Sequence, residues 1–245
     1  LLLHGECLLR VTKQEVISVV NESSDTFLYL NDQNYNFDQD TTDMLAWYKF
    51  DADVVDGGSL TNYGNLGSDY NASIKLTDGG IIRVPGDIGE YKYKWTGTSA
   101  DKKIGNWINL PDNILEKLNS GYTFSWWSVD NELTDYERTI LSVKKGTDIS
   151  VQPGATDILL SAHLPYGGNA NIYWDFGDGL SNSQRLETPY TPPEGELANW
   201  VITKEINGNK QVIKVYRNNV LIMSGTYVNK DFPSGDNDNM IGVNS

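Results

Sequence analysis

After Met44 the chain consists of short apolar stretches bounded by turn residues, and within each stretch the apolar positions recur at a period of two. This pattern constrains the fold more than any other feature. "MLAWYKFD" (44–51) sets Leu45, Trp47 and Lys49 against Ala46, Tyr48 and Phe50. "GYTFSWWSVD" (121–130) sets Tyr122, Phe124 and Trp126 against Thr123, Ser125 and Trp127. A period of two is the side-chain repeat of a strand, and turn signals at these intervals are those of a sandwich. "RTILSVKKG", "ILLSAHL" and "NIYWDF" continue the series. The 14 Tyr and 7 Trp suit pleated, half-buried surfaces and point the same way.

"NWVITKEI", "KQVIKVYRN" and "VLIMSGTYV" form a closing run of three strands. Asn207-Gly208 and Asn218-Asn219 supply the residues that tolerate positive φ in two-residue hairpins, which predicts an antiparallel meander. The single helical candidate is "PDNILEKLNSG" (111–121). Pro111 comes early, Asp112 stands at the cap and Gly121 lies beyond the end, which predicts a short helical turn near 112–119.

The formal net charge is −14, from 33 Asp plus Glu against 19 Lys plus Arg. Such a surface repels phosphate backbones and argues against nucleic-acid binding. It suits surroundings that supply Ca²⁺, although acidity also serves solubility alone. No run of 18 apolar residues exists, so membrane insertion is not expected. Cys7 is the one cysteine and forbids an internal disulfide; with His4 and His163 as the only histidines, a Cys/His zinc site is also excluded. Sequons stand at Asn21 and Asn71.

Residues 1–43 read differently from the rest. "CLLRVTKQEVISVV" has β-branched residues that could add a strand, and "NESSDTFLYLNDQNYNFDQDTTD" is rich in Asn, Asp and Thr. That composition buries too little apolar area to order itself, so 1–43 is expected to be an N-terminal arm or tether. Leu1 is not a start methionine and "LLLHGECLLR" has no signal-peptide pattern, which suggests a piece of a longer chain or assembly.

The order of elements from 44 to 245 resembles the laminin-G-like jelly roll of the concanavalin A-like lectin/glucanase superfamily. "LAWYKFD" (45–51) is similar to its opening strand, and "LTNYGNLGSDYNAS" (60–73) to its Asp-Ser-Ser-Gly-Asn-Gly loop, with Asn62 where an aspartate is usual. "GDIGEYKYKW" (86–95), "INLPD" (108–112), "YTFSWWS" (122–128) and "RTILS" (138–142) follow in the family's order. "NWVITKEINGNKQVIKVYRNNVLIMSGT" (199–226) is similar to the long final hairpin, without the His pair that commonly follows its Trp. The resemblance implies an all-β, two-sheet antiparallel jelly-roll sandwich over 44–245. The family's last strand comes after a segment similar to "NMIGVNS" (239–245), where this chain stops.

"YWDFGDG" (173–179) also resembles the turn of polycystic-kidney-disease repeats, which are small sandwiches. Such a module would have to claim the hairpin 199–226, already assigned to the jelly roll. A strand ending at Phe176 and a Gly177-Asp178-Gly179 turn explain the residues without a second domain.

The same superfamily contains laminarinase-type hydrolases, whose active strand carries Glu-x-Asp-x-x-Glu. Retaining hydrolysis needs two carboxyls about 5–5.5 Å apart. Glu132 and Glu137 of "ELTDYE" have the spacing, but Asp135 stands at the fourth position rather than the third, and the context is polar like a solvated loop. No nucleophile elbow accompanies His163, so the chain is expected to be no enzyme, with Glu132/Glu137 as the hydrolase alternative.

Ca²⁺ is the candidate cofactor. "DADVVDGG" places Asp51, Asp53 and Asp56 before two glycines, and the resembled family often holds Ca²⁺ at the rim with the segment equivalent to 56–65, which adds Asn62. The competing reading is that these side chains close turns on their own backbone. Sugars need an aromatic face and carboxylates or amides for hydroxyls. Trp95, Tyr173, Asp175 and Asp178 have that chemistry; alternation puts Trp174 in the core with Tyr173 and Asp175 outward, and Trp47 and Trp127 are read as core rather than platform.

These readings converge on a non-catalytic recognition or assembly module on an exterior surface, extracellular, at a cell surface or on a virion. Its expected partners are a glycan or neighbouring protein subunits.

Overall fold

The computed structural model describes residues 2–10, 44–76, 80–86, 90–95, 106–129, 139–146, 157–166, 171–180, 183–190, 193, 195–235 and 237–241. Within them sixteen strands make two antiparallel sheets of eight. In the first sheet β1 (Leu2–Arg10) is flanked on one side by β8 (Tyr122–Val129). On its other side lie β2 (Met44–Lys49) and β6 (Tyr91–Trp95), and β5 (Ile81–Pro85) pairs with β6 at that edge. Beyond β8 come β13 (Leu197–Asn207), β14 (Lys210–Arg217) and the edge strand β15 (Val220–Val228).

The second sheet begins with β12 (Gln184–Pro189), β11 (Asn171–Phe176), β10 (Ile158–Tyr166) and β9 (Thr139–Lys145). It continues through β16 (Asn237–Ile241), β7 (Trp107–Asn109), β4 (Ala72–Lys75) and β3 (Ser59–Leu60). The architecture is the expected all-β jelly-roll sandwich.

Alternation decides which residues fill the interior. Ala46, Tyr48, Phe124, Trp126, Trp200 and Ile202 from the first sheet join Ile108, Leu141, Ala162, Trp174 and Phe176 from the second in one buried cluster. Phe124 meets Trp174 edge-on across the sheets at 6.0 Å. Burial of each Ile, Leu or Phe side chain among them contributes about 1.5–3 kcal/mol. Two interior tyrosines direct their hydroxyls to rim carbonyls, Tyr48 to Tyr70 O at 2.7 Å and Tyr93 to Ala52 O at 2.8 Å. The rings are thereby buried with their polar ends satisfied.

Several local expectations are refined. The first closing turn is Gly208-Asn209 rather than Asn207-Gly208, because Asn207 already pairs with Lys210. Gly208 has φ 61, the backbone a II′ turn requires at its first central position. The second turn is Asn218-Asn219 as expected, with φ 48 and 64. The helical element is a 3-10 turn, Leu115–Leu118, entered through Ile114 without a side-chain cap, so Asp112 stands before the cap position. Leu115 and Leu118 are buried beneath it. Asn119 clamps the turn to Phe232 by accepting from its N–H at 2.7 Å and donating to its carbonyl at 3.1 Å.

The region read as an arm is partly in the sheet. Leu2–Arg10 is a strand whose pairing with β8 runs from Leu2↔Val129 to Arg10↔Thr123. Residues 11–43, with the Asn21 sequon, lie outside the described residues. At the other sequon, Asn71 is half-buried, with its Oδ1 accepting the Asn62 N–H at 2.8 Å.

Candidate functional site

Strands β10, β11 and β12 carry the face of interest. Their register sets Ala162, Trp174 and Leu186 side by side, and all three lie in the core. The flanking rows Ser161–Asp175–Arg185 and His163–Tyr173–Glu187 therefore share the opposite face. Trp174 is inside, and Tyr173 and Asp175 are turned away from the core, as alternation predicts.

On that face Arg185 grips Asp175 with a fork: Nε donates to Oδ1 at 2.6 Å and Nη2 to Oδ2 at 2.8 Å. Asp175 is 2% exposed while the Arg185 side chain remains 50% exposed. The guanidinium also lies over the Tyr173 ring, 4.5 Å from its centroid. Asn171 Nδ2 donates to the Tyr173 hydroxyl at 3.1 Å, and His163 meets Tyr173 edge-on at 6.4 Å. Ser161 Oγ and His163 Nε2 are 3.0 Å apart, which closes a continuous polar patch. The bond to Asp175 is the largest influence pushing the Arg185 guanidinium further above its ordinary value, so it is charged throughout the physiological range.

This arrangement changes the role of two expected residues. Tyr173 is 6% exposed with Arg185 across its ring, so it orients the cation instead of offering a bare stacking surface. Asp175 is buried beneath the same group and acts as its anchor. Arg185 is the group presented outward, and Glu187 is exposed on the same face. Arg185 was not among the sequence candidates. Its signal was the hairpin itself, since Phe176 pairing with Gln184 places Asp175 opposite Arg185.

Asp178 lies in the turn after β11, where Oδ1 accepts the Leu180 N–H at 3.0 Å and sits 3.8 Å from Lys230 Nζ. The turn needs its glycines: a Cβ on Gly177 would collide with the Ile158 carbonyl, and Gly179 has φ 65. Trp95 ends β6 in the other sheet, opposite Ile81, and is not brought to the Tyr173 face; its side chain lies outside the described residues. Glu132 and Glu137 also lie outside them. Trp127 is half-buried on the face opposite Phe124 and Trp126. Trp47 is buried outside the core cluster, covered by Lys49 Nζ at 4.3 Å from its ring and by Tyr63 at 5.8 Å. Trp47 is buried as read, although alternation turns it to the outer side of its sheet; Trp127, turned the same way, is only half-buried and departs from the core reading.

Asp51, Asp53, Asp56 and Asn62 do not fit a coordinated cation. Asn62 is buried, and its Oδ1 accepts from Trp47 N at 2.9 Å and Gly64 N at 2.8 Å. Its Nδ2 donates to Leu45 O at 3.4 Å and Gly67 O at 3.1 Å, so the amide knits the rim loop to β2. Asp53 pairs with Arg83 Nη2 at 2.7 Å, and Arg83 Nη1 donates to Asp51 O at 2.6 Å. Arg83 thus supplies the positive charge beside Asp53. Asp56 Oδ1 accepts the Leu76 N–H at 3.0 Å. Among the described residues, no group of three or more His, Cys, Asp or Glu is arranged to hold a metal ion.

Two antiparallel sheets packed face to face define a jelly-roll sandwich. The family model of the concanavalin A-like lectin/glucanases superfamily, of the laminin G type, matches residues 101–245, and the chain belongs to that superfamily. The matched region holds β7 through β16, including the whole of the Arg185 face. Comparison with curated proteins and with solved structures returns no significant match. Superfamily membership is compatible with a binding module in general, and the superfamily's own description covers lectins and glucanases alike.

Proposed function

We propose that this domain is a non-catalytic recognition module on an exterior surface, binding a glycan through the outer face of β10, β11 and β12. The observation that carries this reading is the fixed pose of Arg185, held by Asp175 and laid flat on Tyr173. A guanidinium offers five N–H donors, and Asp175 takes two of them. The others, on a half-exposed side chain, suit the hydroxyls or carboxylates of a sugar, with Glu187 beside them as an acceptor. Fixing the side chain beforehand removes the entropy cost of ordering it on binding.

The fork takes Asp175 itself out of consideration as a catalytic group. A carboxylate committed at both oxygens to an arginine is poorly placed to act as nucleophile or general acid. The exterior location rests on the habit of laminin-G-type domains, which are commonly extracellular.

The test is a glycan array probed with the wild-type protein and with Arg185→Ala, each with and without EDTA. Expected are weak hits, in the millimolar to micromolar range, that fall at least about tenfold in the variant. Silence of the wild-type protein across the array would remove the reading. Polysaccharide cleavage abolished by Glu132→Gln would replace it with the hydrolase alternative.

A further inference from the structure

β1 holds a central position in its sheet, bridging strands that do not otherwise pair. Along one edge it pairs with β8 from Leu2↔Val129 to Arg10↔Thr123. Along the other it pairs with β6 through Leu2–His4 and with β2 through Glu6–Arg10. Among the described residues neither β2 nor β6 pairs with β8. Without β1 the sheet separates into β15-β14-β13-β8 on one side and β2, β6 and β5 on the other, with a gap one strand wide between them.

That gap cannot stand empty. Cys7 is in register with both Tyr48 and Trp126, and Leu9 with Ala46 and Phe124. All four partners are buried core residues, which an empty gap would bare to water while leaving two rows of backbone donors and acceptors unpaired. The slot is therefore complementary in backbone pairing and in register to the Leu2–Arg10 segment.

The connection does not oblige that segment to come from the same chain. Arg10 pairs with Met44, so their backbones are adjacent, and a hairpin joining them would need two to five residues. Residues 11–43 stand between them instead. A stretch of that length spans up to roughly 110 Å when extended. The Leu2–Arg10 strand can thus reach the slot of an adjacent molecule and make the same register there, since the sequence and the slot are identical.

We infer that the β1 slot is a strand-exchange interface whose occupant in an assembly is Leu2–Arg10 of a second copy of this chain. Each copy supplies its strand to a neighbour, either reciprocally in a closed pair or head to tail in an open series. No pairing is lost in the exchange, so protein concentration sets the balance between self-occupied and exchanged forms. The interface lies on the sheet opposite the Arg185 face, and its test is independent of glycan binding.

The test uses the full chain with Cys7→Ala throughout. One tagged version carries Leu8→Cys, and a differently tagged version carries Ser125→Cys, positions that face each other across β1 and β8. A third version carries both. Under mild oxidation the double variant is expected to form an internal disulfide, which verifies the register. A mixture of the two single variants, refolded together, is expected to yield a disulfide-linked pair bearing both tags. The linked fraction should rise about in proportion to concentration over a tenfold range. If the double variant closes its disulfide and the mixture stays unlinked at every concentration, β1 remains in its own sheet and the inference fails. Failure of the double variant to close would also overturn it, because the slot would not hold Leu2–Arg10.

Discussion

Arg185 and Asp175 face each other across β12 and β11, joined by two hydrogen bonds, with the carboxylate buried and the guanidinium half exposed. The pair lies on the side of the sheet away from the core, on a face where Ser161, His163 and Tyr173 are buried as well, and the arginine lies over the Tyr173 ring.

Asp175→Asn keeps the shape but removes the charge that fixes the fork. The guanidinium should then lose its pose, weakening any ligand dependence on Arg185. Folding stability should fall by roughly 1–3 kcal/mol, read from urea midpoints. Unchanged stability together with unchanged ligand binding would show that the fork positions nothing.

Asn62→Asp separates a structural amide from a metal ligand. The aspartate would aim an oxygen at the carbonyls of Leu45 and Gly67, which now receive N–H donors. A loss of about 2–4 kcal/mol is expected in thermal or chemical denaturation, without recovery on adding Ca²⁺. Rescue by millimolar Ca²⁺ would restore the rim as a cation site.

Stability should vary with pH above neutrality in a way set by buried groups. Burial lowers Lys204 from an ordinary 10.5 to about 8, although its Nζ donates to the Lys230 carbonyl at 3.0 Å. Between about 8 and 10.5 the unfolded chain holds a proton there that the folded chain has shed, so stability rises with pH across that window. Tyr93 and Tyr122 act the other way. Burial raises both above the ordinary 10.0, so their contribution is complete below that pH and is lost above it. Urea midpoints should therefore climb from pH 8 and turn down above about pH 10. Lys204→Met should flatten the climb and raise stability at pH 7. A variant that reproduces the wild-type profile would show that Lys204 is not its source.

Gly177→Ala tests the turn that ends β11. The added methyl would meet the Ile158 carbonyl of β10, and relief requires the two strands to part. A loss of about 1–3 kcal/mol is expected, measurable as a lowered melting temperature. An unaltered melting temperature would mean that the turn relaxes at no cost.

Legibility in the sequence followed the range of the interaction. Alternation within one strand identified Trp174 as interior and Tyr173 and Asp175 as outward, because that distinction depends only on neighbours two residues away. The turn at Asn218-Asn219 was equally local, whereas the first turn slipped by one residue, since Asn207 and Gly208 both accept the backbone a turn demands. Arg185 was missed because its importance comes from a partner across the hairpin. The bonds of Asn62 were hidden for a related reason: an amide on a rim loop looks like a ligand until the backbone groups around it are known. The outward placement of Trp47 and Trp127 followed from alternation, but their size suggested the core. Least visible was β1, whose partners lie far along the chain.

That last separation governs how the molecule must be made. Leu2–Arg10 is synthesised before its neighbour Tyr122–Val129, which follows more than a hundred residues later, a delay on the order of ten seconds at ordinary translation rates. Until then β1 has only its β2 and β6 edge to pair with, and its other edge is open to chaperones and to unintended partners. Contacts of such long range also predict slow refolding in vitro, in the millisecond-to-second class of non-local β topologies rather than the microsecond class of bundles.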